Sequence, residues 1–237
     1  MNAVLNGKTI IWDGDSICAG SADTGNWATR IAEANSMTSR NYSVGGGTLA
    51  DGFPLLANGG KRHCVSVTIE RMHTEYPNAD YIIFEGGTND ADLFADHFDI
   101  LGERMGELNP DDYSGEYDKE TFIGALESIF YRATKYWAGK KIGFIIAQKM
   151  GQSAKALNRR RHYFDVCAEI CKKWGIPCLD LWHGCYLNPA LPWMYNRENT
   201  PEENKKGNVG FYIDGQHLTA RGYDVTAEIV ERWLRTL

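Results

Sequence analysis

Short runs of β-branched and aromatic residues alternate along this chain with longer stretches of helical period, the pattern of strand-helix-strand units that build a parallel sheet. The apolar runs predict strands near Lys8–Asp13, Asn41–Val44, Asp80–Phe84, Lys141–Ala147 and Ile176–Leu181. Between them Trp27, Ile31 and Ala34 keep helical spacing, as do Val65, Ile69, Met72 and Tyr76. Val65 to Ile69 alone would pass for a strand, but the length of the periodic stretch and the Pro77 that follows favour a helix. Phe122, Leu126, Ile129 and Ala133 mark a third helix, Tyr163, Val166, Ile170 and Trp174 a fourth, and Val225, Ile229 and Trp233 the last. Gly139 and Gly175 are placed to end the third and fourth. Two segments break the alternation, the acidic Ala91–Asp118 and the Asn-, Pro- and aromatic-rich Trp182–Ile213. Both are expected as loops or short helices above the carboxyl edge of the sheet.

Four polar motifs stand just past these runs or near the C-terminus: Gly14-Asp15-Ser16, Gly45-Gly46-Gly47, Gly87-Thr88-Asn89-Asp90 and Asp214-Gly215-Gln216-His217. In an open α/β sheet, loops at the carboxyl ends of the strands converge on one crevice, so residues remote in sequence meet there. A serine hydroxyl becomes a nucleophile when a base takes its proton, and the base needs a third group to fix its tautomer. Ser16 is the candidate nucleophile, His217 the candidate base and Asp214 the group that orients it. The backbone N–H of Ser16, that of Gly46 and the side-chain amide of Asn89 are candidate oxyanion donors. Asp90 is assigned to holding the Asn89 loop.

Each motif also has a plainer reading. Gly-Asp-Ser alone is more often a turn with an N-cap, and three glycines more often a flexible turn. Asp214 and His217 alone would be the N-cap of the last helix with a surface histidine in its first turn, or a metal pair. His63, His73, His97, His162 and His183 are read as ordinary surface or satisfied core residues.

The rest of the composition narrows the class. The 237 residues show no linker or shift in composition, so one domain spanning 1–237 is expected, with no internal repeat. A net charge of -6, with basic residues scattered apart from short runs, argues against nucleic acid as a partner. Arg159-Arg160-Arg161 is read as a solvated helix face rather than an anion grip. No stretch approaches the roughly 18 apolar residues of a membrane span, and the chain enters its first strand without a charged and apolar leader. The expected protein is soluble and cytoplasmic. Six cysteines lack a disulfide framework and are expected as free thiols. Cys167 and Cys171, four apart, are read as core packing rather than metal ligands, and no metal site is expected.

In these motifs the chain resembles the SGNH hydrolases, also called the GDSL esterase and lipase family, over nearly its whole length. The first block is present as Gly14-Asp15-Ser16-Ile17, the third, Gly-x-Asn-Asp, as Gly87 to Asp90, and the fifth, Asp-x-x-His, as Asp214 to His217. The second usually reads Asn-x-Gly-x-Ser-Gly. Here Asn41 to Gly46 keeps the final glycine as the implied donor, while Ser43 and Gly45 depart, with Gly45 the alternative donor. The resemblance implies an α/β fold, a three-layer α/β/α sandwich with a flavodoxin-like, about five-stranded parallel sheet. It also implies ester hydrolysis through an acyl-enzyme without cofactor. The Gly-x-Ser-x-Gly elbow of α/β-hydrolases is missing, because Cys18 stands where its second glycine would be.

Relatives of this kind cleave acetylated sugars, aryl esters, thioesters and lysophospholipids. A short-chain acetyl esterase acting on carbohydrate or glycoside esters is the favoured reading, with a small-molecule or oligosaccharide ester as partner. A lysophospholipase, thioesterase or aryl esterase is the alternative. Trp182, Trp193, Tyr195, Phe211 and Tyr212 offer faces for a sugar or flat leaving group, or core packing under a long loop. Asp92, Asp96, Asp99, Glu103, Glu107, Asp111 and Asp112 would repel anions if they overhang the site, though a solvated face is the preferred reading. A non-catalytic binding module of the same fold, and a nucleotide site at Gly45, Gly47 and Ala50, rank lower.

Overall fold

The computed structural model describes residues 4–56, 58–96, 104–151, 154–206 and 210–237. Among them five strands form one parallel sheet: β1 (Thr9–Asp13), β2 (Thr38–Asn41), β3 (Tyr81–Glu85), β4 (Lys141–Ile146) and β5 (Cys178–Asp180). Their order is β2-β1-β3-β4-β5, and every adjacent pair is parallel. Central β3 is buried at all five positions, as a strand covered on both faces must be. Ile82 stands opposite Ile11 on one side and Ile142 on the other.

The helices are α1 (Ser16–Ala19), α2 (Trp27–Asn35), α3 (Val65–Glu75), α4 (Thr88–Asp96), α5 (Phe122–Tyr136), α6 (Ala154–Trp174), α7 (Leu181–Gly184), α8 (Pro201–Lys206) and α9 (Ala220–Leu234). They group as α2 with α9, and as α3, α5, α6 and α4 packed in succession, giving the layers of an α/β/α sandwich. The α9 layer lies against β4, where a Cβ on Gly143 would sit 2.5 Å from the Trp233 ring. Gly175 takes φ +63 just past α6, and the Ile176 N–H turns back to the Cys171 carbonyl, closing that helix as its sequence position foretells.

The second strand differs from its expected place. It spans Thr38–Asn41, and the Tyr42-Ser43-Val44 run read as its body lies beyond it, with Val44 47 % exposed. β2 is an edge strand whose residues alternate between exposed and half-buried, so its ladder to β1 is held by backbone rather than by an apolar run. β5, at the other edge, is shortened to three residues. Within Ala91–Asp118, α4 continues from the Asn89 motif to Asp96, and His97, Asp99 and Glu103 lie outside the described residues. Glu107 and Asp111 are exposed, in keeping with a solvated face. Of the late aromatic residues, Trp182, Tyr195 and Tyr212 are buried in the core, while Trp193 is exposed and Phe211 half-buried.

All six cysteines are free thiols, and among the described residues no group of histidine, cysteine and acidic side chains is arranged to hold a metal. No helix among them is long and apolar enough to cross a membrane.

Candidate active site

The loops after β1, β2 and β3 meet the turn before α9 at the carboxyl edge of the sheet. Ser16 opens α1, whose N-cap Asp15 accepts the Ile17 N–H at 2.8 Å. The Ser16 N–H therefore has no acceptor within its own helix. At four residues α1 supplies N–H groups but little of a long helix's dipole. Gly14 is needed because a Cβ there would fall 2.7 Å from Glu85 Oε2 and 2.8 Å from the Glu85 carbonyl.

His217 Nε2 lies 2.9 Å from Ser16 Oγ, and His217 Nδ1 lies 2.7 Å from Asp214 Oδ2. The carboxylate's other oxygen accepts the backbone N–H groups of Gln216 and His217 at 2.9 and 2.8 Å. With Nδ1–H given to Asp214, Nε2 is left to accept the serine proton. The Asp214 turn is not the cap of the last helix, as its plainer reading had it; Thr219 caps α9 by accepting the Gly222 N–H.

Charge follows this geometry. The hydrogen bond to Asp214 raises the His217 imidazole above its ordinary value, against a lowering by burial, and the Asp15 charge adds to the rise while Arg160 opposes it. Burial alone would raise Asp214, but its bonds from His217 and Gln216 outweigh that and hold it below the usual carboxylate range.

On the other side of Ser16 the glycine loop turns through Gly46 at φ +75. A Cβ on Gly45 would stand 3.9 Å from the Ser16 Cβ, so this stretch of backbone lies beside the Ser16 side chain. The Gly46 carbonyl is held by Arg62 Nη1 at 3.1 Å, and the Gly47 carbonyl accepts Asn89 Nδ2 at 2.8 Å. Buried Asp90 reaches the same loop, accepting the Leu49 and Ala50 N–H groups at 3.0 and 2.9 Å. Burial pushes the Asp90 carboxyl up to about 7 even against those donors. Ser16, Gly46, Asn89, Asp214 and His217 thus share one crevice, and Asp90 ties the Asn89 helix to the glycine loop.

Other polar groups around the site gave no signal in sequence. His63 donates to or accepts from fully buried Asp13 at 2.7 Å and packs its ring under Gly47, where a Cβ would meet it at 2.9 Å. Glu85 and Asp15 form a buried carboxyl pair beneath α1, and burial raises both, Glu85 well above its ordinary value. Arg160, from the basic run, is only 7 % exposed and binds Asp92 and Gln216. Their partners lie 50 to 70 positions away, so no local spacing announces them.

A cavity of about 260 Å³ opens beside the Ser16–His217 pair, lined by Ser16, Thr24, Glu202, Lys205, His217 and Tyr223 among others. Lys205 of α8 reaches Asp23 in the turn before α2, closing one wall.

Residues 14–225 match the GDSL-like Lipase/Acylhydrolase family. The chain belongs to that family. This GDSL-like acylhydrolase is accordingly an esterase of SGNH type, and its sheet has the flavodoxin-like order expected of the fold. Among solved structures it resembles a protein from Lactobacillus plantarum at 20 % identity and TM-score 0.71, covering 98 % of each chain. It also resembles an inhibitor-bound aryl esterase of M. smegmatis, at 11 % identity and TM-score 0.63, covering 97 % of this chain and 99 % of that one. A catalytic mutant of the acetylxylan esterase Axe2 from Geobacillus stearothermophilus is similar at 14 % identity and TM-score 0.60, with 97 % and 95 % covered. At these identities the likeness is one of fold. No curated protein matches the sequence.

Proposed function

We propose that this acylhydrolase removes short acyl groups, acetyl above all, from carbohydrate or glycoside esters, with Ser16 as nucleophile, His217 as base and Asp214 as its orienter. One observation carries the reading: an unbroken relay from Ser16 Oγ to His217 Nε2 at 2.9 Å and from His217 Nδ1 to Asp214 at 2.7 Å. Ser16 Oγ attacks the ester carbonyl as His217 takes its proton. The oxyanion is met by the N–H groups of Ser16 and Gly46 and the amide of Asn89. The imidazolium then protonates the departing alcohol, and water repeats the sequence on the acyl-enzyme.

The leaving alcohol departs on the side of His217, into the cavity with Thr24, Glu202 and Lys205 on its wall. The hydroxyl, carboxylate and ammonium groups offer a polyhydroxylated alcohol hydrogen-bond partners, and Ile213, Leu218 and Tyr223 an apolar face for its ring. A volume of about 260 Å³ falls just below the usual range for small-ligand pockets and favours a small substrate. An acetylxylan esterase among the similar folds is consistent with this choice.

The test is turnover of p-nitrophenyl acetate and acetylated xylosides beside a long-chain acyl ester. The acetates should be cleaved preferentially, and Ser16→Ala should lower kcat by about a millionfold, as loss of a nucleophile in such a triad does. Preference for the long-chain ester would overturn the substrate assignment, and an active Ser16→Ala variant the mechanism.

A further inference from the structure

Arg160 sits on α6 between the two halves of the site. Its Nη2 and Nε donate to Asp92 Oδ2 and Oδ1 at 2.5 and 3.3 Å, and Nη2 also donates to Gln216 Oε1 at 2.9 Å. Asp92 lies on α4 one turn past Asn89, while Gln216 lies within the turn between Asp214 and His217. The backbone of Gln216 is itself part of the turn, its N–H given to Asp214 and its carbonyl accepting Gln148 Nε2 at 3.2 Å. One guanidinium therefore spans the helix carrying the amide donor and the turn carrying the base.

A buried arginine is costly unless it is paired and hydrogen-bonded. Among the described residues its Nη1 has no hydrogen-bond partner, and Asp92 is the counter-charge they supply. Lysine would keep the charge but not the two-point grip of Nη2 and Nε on the Asp92 carboxylate that fixes the guanidinium's orientation.

We propose that Arg160 is a positioning residue for His217: through Gln216 it sets the turn that aims the imidazole at Ser16, and Asp92 governs how much of its positive charge the imidazole feels. The inference rests on the esterase reading of the Ser16–His217 pair and adds to it a group that touches neither substrate nor the reacting atoms. Charged and titratable groups face His217 from each side: Asp214 on its own turn, Asp15 at the head of α1 with Glu85 behind it, Arg160 from α6, and Glu202 and Lys205 from α8 across the cavity.

Substitutions on the two sides of the ion pair should move the pH profile in opposite directions, which a merely structural role would not do. In Arg160→Met a cation near His217 is lost, so the imidazolium is favoured and the acid limb of kcat/KM should shift to higher pH. In Asp92→Asn the guanidinium loses its counter-charge, and the limb should shift to lower pH. Arg160→Lys keeps the charge without the fork, so its limb should stay near that of the wild type while kcat falls.

Gln216→Met cuts the tie but leaves the ion pair buried and intact, which guards against a variant that fails to fold. It should lower kcat by about tenfold to a hundredfold with KM and Tm little changed, the cost of a displaced catalytic group. Wild-type kcat in Gln216→Met, or limbs that stay fixed or move the same way in Arg160→Met and Asp92→Asn, would overturn the role of Arg160. A wild-type protein inert to both acetate esters and a fluorophosphonate would overturn the esterase reading and this inference with it.

Discussion

Asn89 is the residue whose removal separates chemistry from architecture most cleanly. Its amide has two protons, and one is given to the Gly47 carbonyl at 2.8 Å. In the proposed mechanism the other is left for the oxyanion. Asn89→Ala removes both. A preorganised oxyanion donor is worth about 2.7–4 kcal/mol in the transition state, or roughly a hundred- to a thousandfold in kcat. The bond to Gly47 is an ordinary neutral one worth about 0.5–1.5 kcal/mol, which for a chain of this length lowers Tm by only a few degrees. The glycine loop stays anchored in the variant because Asp90 still holds Leu49 and Ala50. Steady-state kinetics on p-nitrophenyl acetate, paired with thermal unfolding, should therefore show kcat falling by two to three powers of ten, KM close to wild type and a small drop in Tm. Asn89→Asp, of the same size but unable to donate when ionised, should fall at least as far. A loss of less than about tenfold in kcat, or one matched by a large fall in Tm, would refute the assignment of Asn89 to the oxyanion.

Three further outcomes follow from the charges and the packing. His217 must be neutral to act, and its hydrogen bond to Asp214 raises it, so the acid limb of kcat/KM should have its midpoint above the ordinary histidine value near 6.5; Asp214→Asn should move that limb down and slow turnover by about 10⁴-fold. Asp13, Asp15, Glu85 and Asp90 are all raised, chiefly by burial, so the folded protein holds protons that the unfolded chain releases above about pH 4. Raised carboxyls contribute most below that point and lose their contribution as pH climbs, for Asp90 through about 7, so Tm measured by calorimetry should be higher at pH 5 than at pH 8; the opposite order would sink this account of the buried acids. Gly143→Ala would drive a methyl to 2.5 Å from the Trp233 ring, and the resulting overpacking should cost about 1–3 kcal/mol, read as a lower urea midpoint.

How much of this was legible beforehand depended on whether the signal was local. The parallel sheet was readable because β1, β3 and β4 are continuous apolar runs, as strands covered on both faces must be. The edge strand β2 was misplaced because it carries Thr, Ser, Arg and Asn, while the more apolar Tyr42-Ser43-Val44 beside it belongs to the loop toward the site. The five candidate site residues were nameable because their motifs are short and ordered, and the structure gathers them into one crevice. Their supports were not. His63 and Arg160 look like any other histidine and any member of a basic run until Asp13, Asp92 and Gln216 are brought to them from elsewhere in the chain. Arg161, next door, does lie exposed, as the run as a whole was read.

The contact between Lys205 and Asp23 has a bearing on substrate range. The glycine-loop flank of the crevice is braced from below by buried Asp90 and by His63 on Asp13; on the opposite wall buried Asn204 ties α8 to the Asn196 and Ile213 carbonyls, while the Lys205–Asp23 pair has an aspartate mostly open to water. Such pairs are weak and yield to salt. Under the proposed function, breadth toward larger alcohols is adjustable at residues 23 and 205 without disturbing the glycine-loop flank, and libraries aimed at new glycosides belong there.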